Sequence, residues 1–202
     1  MLRIIIFFYD EILRIQRDSF CLARDTITLT EPPPLKIYPK ISDYKGYEID
    51  CINNNTGSIT IDSTRNGFGT YSYNWSTSNG SGLVPANKDQ TNLSAGTYNL
   101  TVTYGGVCPR PFSFTLDEPS AIRLDSVISD FKGNNVSCFQ SQNGYININP
   151  SGSVGTAASF VYNWSTVSGT GLVPASRNQK DLGAGTYHLQ ITDENLCKFD
   201  WD

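Results

Sequence analysis

Five cysteines are spaced regularly enough in this sequence to matter chemically. Cys21, Cys108 and Cys197 follow one another at 87 and 89 residues, and Cys51 and Cys138 stand 87 apart. Cysteines that hold a metal usually come in close pairs such as C-x-x-C, and no such pair occurs here. One early and one late cysteine in each segment of that length predict one disulfide per module, as in small domains of an oxidising, extracellular setting. The pairs expected are Cys51 with Cys108 and Cys138 with Cys197, leaving Cys21 unpaired. Closing loops of that size is worth about 4 kcal/mol each in chain entropy. The alternative is reduced, buried cysteines in a cytosolic protein.

Other chemistry finds little support. His188, the one histidine, falls on the polar side of its segment, and the matching position 89 residues earlier is Asn99. A general acid or base present in one copy and absent from the other does not define a catalyst. No nucleophile elbow, phosphate loop or zinc-binding helix motif occurs. The expectation is a protein without catalytic residues, cofactor or metal. Calcium at the module joints is the alternative, on the recurrent acids Asp43/Asp130 and Glu31/Glu118. Against it, Asp62 aligns with Asn149 and Asp89 with Asn178, which removes charge from a site that needs several oxygen ligands. The triplets at Asn74, Asn92 and Asn163 fit the N-glycosylation pattern, although Trp75 and Trp164 make two of them core positions. Those beginning at Asp25, Asp62 and Asp125 have the Asp-Ser/Thr-apolar form of bacterial O-glycosylation sites. Tyr47, Tyr145 and Phe68 are the aromatics a glycan-binding module would present.

The elements that would position these groups are written twice. Tyr73-Asn74-Trp75-Ser76-Thr77, Gly82-Leu83-Val84-Pro85-Ala86 and Ala95-Gly96-Thr97-Tyr98 recur, each 89 residues on, as Tyr162 to Thr166, Gly171 to Ala175 and Ala184 to Tyr187. Such self-similarity marks an array of modules. Alternation of apolar and polar residues, as in Tyr71/Tyr73/Trp75 and Tyr98/Leu100/Val102, predicts antiparallel strands covered on one side. About seven short strands in nearly 90 residues, with Gly and Pro at the joins, gives an all-β protein of tandem immunoglobulin-like antiparallel β-sandwich modules. Trp75, Trp164, Tyr98 and Tyr187 are its expected structural core. The order Cys51, Trp75, Cys108 fits a tryptophan packed on a disulfide, but Tyr98 stands ten residues before Cys108, not the two of a tyrosine corner.

The modules divide the chain into 1–33, the tail of a preceding repeat; 34–120, a complete repeat; and 121–202, a second repeat truncated in its last strand. Trp201, in that strand, is expected to contribute less than Trp164. Leu13 to Asp18 read as a strand or a short amphipathic helix. A net charge of −4 excludes a nucleic-acid partner, which requires a basic face. The longest apolar run, Ile4 to Phe8, is too short to span a membrane and is closed by Asp10 and Glu11 too early for a signal peptide.

From about residue 21 onward the sequence resembles the SprB repeat. The signature is Gly133 to Cys138, Asn143-Gly144-Tyr145-Ile146, Tyr162 to Ser165, Leu182 to Tyr187, then Thr192-Asp193 and Cys197. The first copy carries the same elements from Gly46 and Cys51 through Trp75, Leu93, Gly96-Thr97-Tyr98 and Cys108. It departs at Tyr104-Gly105-Gly106, where the family has Asp. The resemblance implies long proteins secreted by the type IX system and displayed on the cell surface, acting in adhesion and gliding. The partners implied are surface polysaccharides or other extracellular surfaces, and neighbouring repeats of the same chain. A glycan-binding module and the accessory repeats of a secreted enzyme are the alternatives.

Overall fold

The computed structural model describes the backbone of residues 12–16 and 22–26 and all residues from 27 to 202. Ile4 to Phe8 and Cys21 lie outside the described residues. Two compact units result, Met1–Leu35 and Lys36–Asp202. In the first, β1 (Ile12–Gln16) and β2 (Leu22–Thr26) form an antiparallel hairpin. Of the two readings of Leu13 to Asp18, the strand therefore holds through Gln16.

The second unit is built from twelve strands. In the first repeat these are β3 (Lys36–Ile41), β4 (Gly57–Arg65), β5 (Tyr71–Thr77), β6 (Gln90–Leu93), β7 (Gly96–Tyr104) and β8 (Cys108–Leu116). In the second they are β9 (Arg123–Ile128), β10 (Gly144–Ser151), β11 (Val161–Thr166), β12 (Gln179–Leu182), β13 (Tyr187–Thr192) and β14 (Lys198–Trp201). Each repeat holds two three-stranded antiparallel sheets, ordered β3-β4-β6 and β5-β7-β8, then β9-β10-β12 and β11-β13-β14. Six strands per repeat replace the seven expected. The described residues contain no helix.

The hairpin β1–β2 has the register of β7–β8. Ile12 pairs with Thr26 and Gln16 with Leu22, where Asn99 pairs with Ser113 and Thr103 with Pro109, all 87 residues further on.

Period-2 alternation sets which face is buried. Along β10 burial alternates strictly, with Ile146 and Ile148 inward. Both sheets contribute to one core: Ile146, Ile148 and Leu182 from one, Tyr162, Trp164, Leu189 and Ile191 from the other. Trp75 and Trp164 are each 2% exposed, and Tyr98 is fully buried. Tyr187 is only half-buried, packed at the core's margin. The last strand is better packed than its shortness suggests, because Trp201 meets Trp164 edge-on at 6.3 Å. Trp75 packs on Phe114, not on a disulfide.

The duplicated motif has a mechanical reason. Trp75 Nε1 donates to the Asn87 carbonyl and Trp164 Nε1 to that of Ser176. The Tyr98 hydroxyl donates to the carbonyls of Ser81 and Ser94, and that of Tyr187 to Thr170 and Gly183. The loop between the tryptophan and tyrosine strands is thus tied down from both sides. Gly82 and Gly171 sit at φ 88° and 82°, and a Cβ there would run into the carbonyls of Asn92 and Asp181.

Candidate functional site

The feature that sets this molecule apart from a string of beads is the joint between its repeats. Each sandwich has two ends, and the strand directions assign one cysteine to each. Cys108 opens β8, and Asp117, just past the other end of β8, accepts hydrogen bonds from the N–H groups of Glu48 and Ile49, both at 3.1 Å. Nine strand residues span about 30 Å, while a disulfide needs Cα atoms within about 7 Å. Cys51 and Cys108 therefore occupy opposite ends and cannot pair.

Cys51 is bonded instead to Cys197 of the other repeat, with Cα atoms 5.6 Å apart. This corrects both expected pairs, Cys51 with Cys108 and Cys138 with Cys197. Cys108 and Cys138 are free, the first half-buried and the second exposed. The reason lies in topology. The chain leaves the first sandwich at Leu116, the Cys51 end, and enters the second at Arg123, which pairs with Ser151 away from the Cys138 end. The Cys51 end of one repeat consequently faces the Cys197 end of the next.

Polar contacts surround the bond. The Asp193 carboxylate, almost fully buried, accepts from the N–H groups of Asn195 and Cys197, both at 2.8 Å, and from the Ser153 hydroxyl. It thereby shapes the β13–β14 tip. Asn195 Nδ2 then donates to the carbonyls of Tyr44 at 3.0 Å and Asp50 at 3.2 Å. Lys45 Nζ donates to Glu194 Oε2 at 2.5 Å. That hydrogen bond, with one from Ser159 and the lysine's charge, holds the Glu194 carboxyl below its ordinary value. Burial pushes the Asp50 carboxyl up. Hydrogen bonds from Thr56, Asn54 and the Cys51 N–H outweigh that and leave it low.

The remaining candidates are structural. Asp43 and Asp130 each cap a turn by accepting from the N–H of Gly46 and Gly133. Glu118 accepts from the Asn53 N–H at 2.6 Å. Asp89 and Asn178 do one job, each accepting from a strand N–H, of Ile61 and Ile148. An amide oxygen serves there as well as a carboxylate, which explains the exchange. No group of three potential metal ligands occurs among the described residues. His188 Nδ1 lies 2.6 Å from Asp202 on an exposed face. Tyr47 is half-buried, Phe68 packs edge-on against Tyr104 at 5.5 Å, and Tyr145 borders a shallow hollow with Lys180. These three aromatics do not share a site.

Sequence reading passed over Gln90 and Gln179, which are 2% and 1% exposed. Each accepts from and donates to one loop residue, Val84 or Val173, and donates again to the carbonyl that receives the tryptophan. Their recurrence at the motif's own 89-residue shift was the available signal.

Fold and joint define a class: tandem β-sandwich repeats tied end to end. The family model that matches is the SprB repeat, at residues 48–80 and 134–169. Each match runs from the early-cysteine loop past the tryptophan strand, so over that stretch both copies are similar to a repeat family of surface proteins, not a catalytic one. No curated protein matches the chain.

Proposed function

We propose that this chain is a non-catalytic segment of a secreted bacterial cell-surface adhesin, spacing and presenting contact surfaces for attachment or gliding. The observation that carries the reading is the Cys51–Cys197 bond, which turns two sandwiches into one cross-braced unit. A disulfide of this kind persists outside the reducing cytosol. The buried polar side chains are consumed by the scaffold: none among the described residues lacks a hydrogen-bond partner. Weak contacts repeated along such a chain gain through effective concentration, by about 10²–10⁴ over a single site.

The test immobilises this chain, and tandem fusions of two and four copies, at equal mass. Retention of cells, polysaccharide and glass beads is then measured. Retention should rise steeply with copy number. Retention indifferent to copy number would point to one discrete site, and hydrolysis of any glycan or peptide would overturn the reading.

A further inference from the structure

Each half of the joint is shaped within its own repeat. On the receiving side, the Gly46 N–H donates to Asp43 and closes the turn at Lys45. The Asp50 carboxylate gathers the Cys51 N–H, the Asn54 amide and the Thr56 hydroxyl around the loop. On the inserting side, the Asp193 N–H donates to the Cys197 carbonyl at 3.0 Å, and Leu196 takes φ 68° to close the tip. The Asp193 carboxylate holds that tip by accepting from the Asn195 and Cys197 N–H groups and from the Val154 N–H. The contacts that cross the joint are then made by side chains at the tip's end. Asn195 Nδ2 reaches the Tyr44 and Asp50 carbonyls, and Glu194 meets Lys45. Cys197 Sγ lies 3.2 Å from the Asp50 carbonyl oxygen, which a thiol in that place can donate to.

We infer that the Cys51 loop is a recognition site for the Glu194-Asn195 tip, and that Asn195 docks the tip there before the disulfide forms, delivering Cys197 to Cys51. Asn195 is a positioning residue: its amide bonds to main-chain carbonyls on the loop and leaves the sulfurs to each other. Two carbonyls accept and do not donate, so a side-chain NH2 suits them and a carboxylate of the same shape does not. Lys45 and Glu194 add opposite charges to the same approach, a small term between exposed groups. The chain has three other cysteines, Cys21, Cys108 and Cys138. The residues leading to Cys108 are Gly105 and Gly106 at the positions of Glu194 and Asn195, and they offer neither an amide nor a carboxylate. Closure needs a disulfide oxidant, for which oxidised glutathione serves. The Cys197 thiolate attacks one of its sulfurs, and one glutathione leaves as thiolate. The Cys51 thiolate then attacks the Cys197 sulfur of the mixed disulfide, and the second glutathione leaves. Two protein thiols are oxidised and one glutathione disulfide is reduced to two thiols. Docking raises the effective concentration of one protein thiol at the other in that second step. The inference rests on the joint and is independent of the adhesive role.

The test equilibrates the full chain with reduced and oxidised glutathione, quenches with acid and maps every disulfide. The glutathione ratio at which Cys51–Cys197 is half formed gives the effective concentration of the two thiols. Asn195→Ala should lower it about tenfold, the worth of two hydrogen bonds. Asn195→Asp, which keeps the shape and loses the donors, should lower it at least as far, while Glu194→Gln should change it less than about twofold. An effective concentration unchanged in both Asn195 variants would overturn the inference. A second measurement removes the bridge. In the chain carrying Cys51→Ser, iodoacetamide should alkylate Cys197 about tenfold more slowly than the exposed Cys138, with the same two hydrogen bonds at stake. Adding Asn195→Asp should erase that difference. Equal rates at Cys197 and Cys138 with Asn195 in place would mean that the tip does not dock unaided, and would overturn the inference too.

Discussion

The loop around Cys51 and the loop around Cys138 share their turns and several internal hydrogen bonds, yet only the first is bonded to another repeat. Their shape therefore does not depend on the partner. It comes from local chemistry: an aspartate capping a glycine turn and a serine hydroxyl bridging to the carbonyl six residues on. The late-cysteine tips teach the opposite lesson. In the second repeat Asp193 organises a polar tip that reaches the neighbouring sandwich; in the first, Tyr104 stands there and packs with Phe68 and Tyr71. The receiving surface is the constant half of the joint, and the inserting tip is the half that varies.

The largest effect should come from the cysteines. Cys51→Ser opens a link across 146 residues, for which chain entropy gives about 5 kcal/mol. Cys138→Ser should fall within about 0.5 kcal/mol of the parent, as an exposed side chain does. Urea titration without reductant measures both, and equal losses would erase the distinction between the two loops.

Next in size are the buried glutamines. Gln90→Leu and Gln179→Leu each strip three hydrogen bonds from a tied-down loop and should each cost about 1–3 kcal/mol. The scaffolds of the two repeats being alike, the two losses should agree. A large loss in one repeat alone would mean that its loop is held by other contacts.

The smallest effect belongs to the ion pair. Glu194→Gln should change stability only slightly, since both partners are substantially exposed. The Glu194 carboxyl is held below its ordinary value of 4.5. Its contribution is then fully present above that value and disappears as the pH falls below it, through the lowered folded-state value. Thermal melts of the parent and Glu194→Gln should converge at acid pH. A constant gap from neutral to acid pH would show that the charge has no part in it.

Much of this was legible beforehand. The alternation in Tyr71 to Trp75 and Tyr98 to Val102 located strands and their inward faces, because burial on one side leaves a period of two in the sequence. The 89-residue shift picked out corresponding strands, such as β5 and β11. Cysteine pairing was not legible. Equal spacing shows that two thiols recur, but it is silent on which end of a sandwich each occupies, and that depends on strand direction and on where the connection at Asp117 to Ile122 enters the next fold. Asp193 stood in the signature, but its role was hidden for a related reason: which groups its carboxylate holds depends on how its hairpin folds against Ser153.

The Cys51–Cys197 bond also decides how tension would pass through the unit. A pull applied at Lys36 and at Asp202 runs along the chain to Cys51, crosses the sulfur bridge to Cys197 and leaves within a few residues. While the bridge is intact, the residues between the two cysteines are loaded only through the hydrogen bonds of β3 to β4 and of β14 to β13, and cannot be drawn out as chain. With 146 positions in sequence separating the bonded cysteines, about 500 Å of extended chain is kept from paying out. Under load the unit would unravel only at its two short ends, and reduction of a single bond would release the rest.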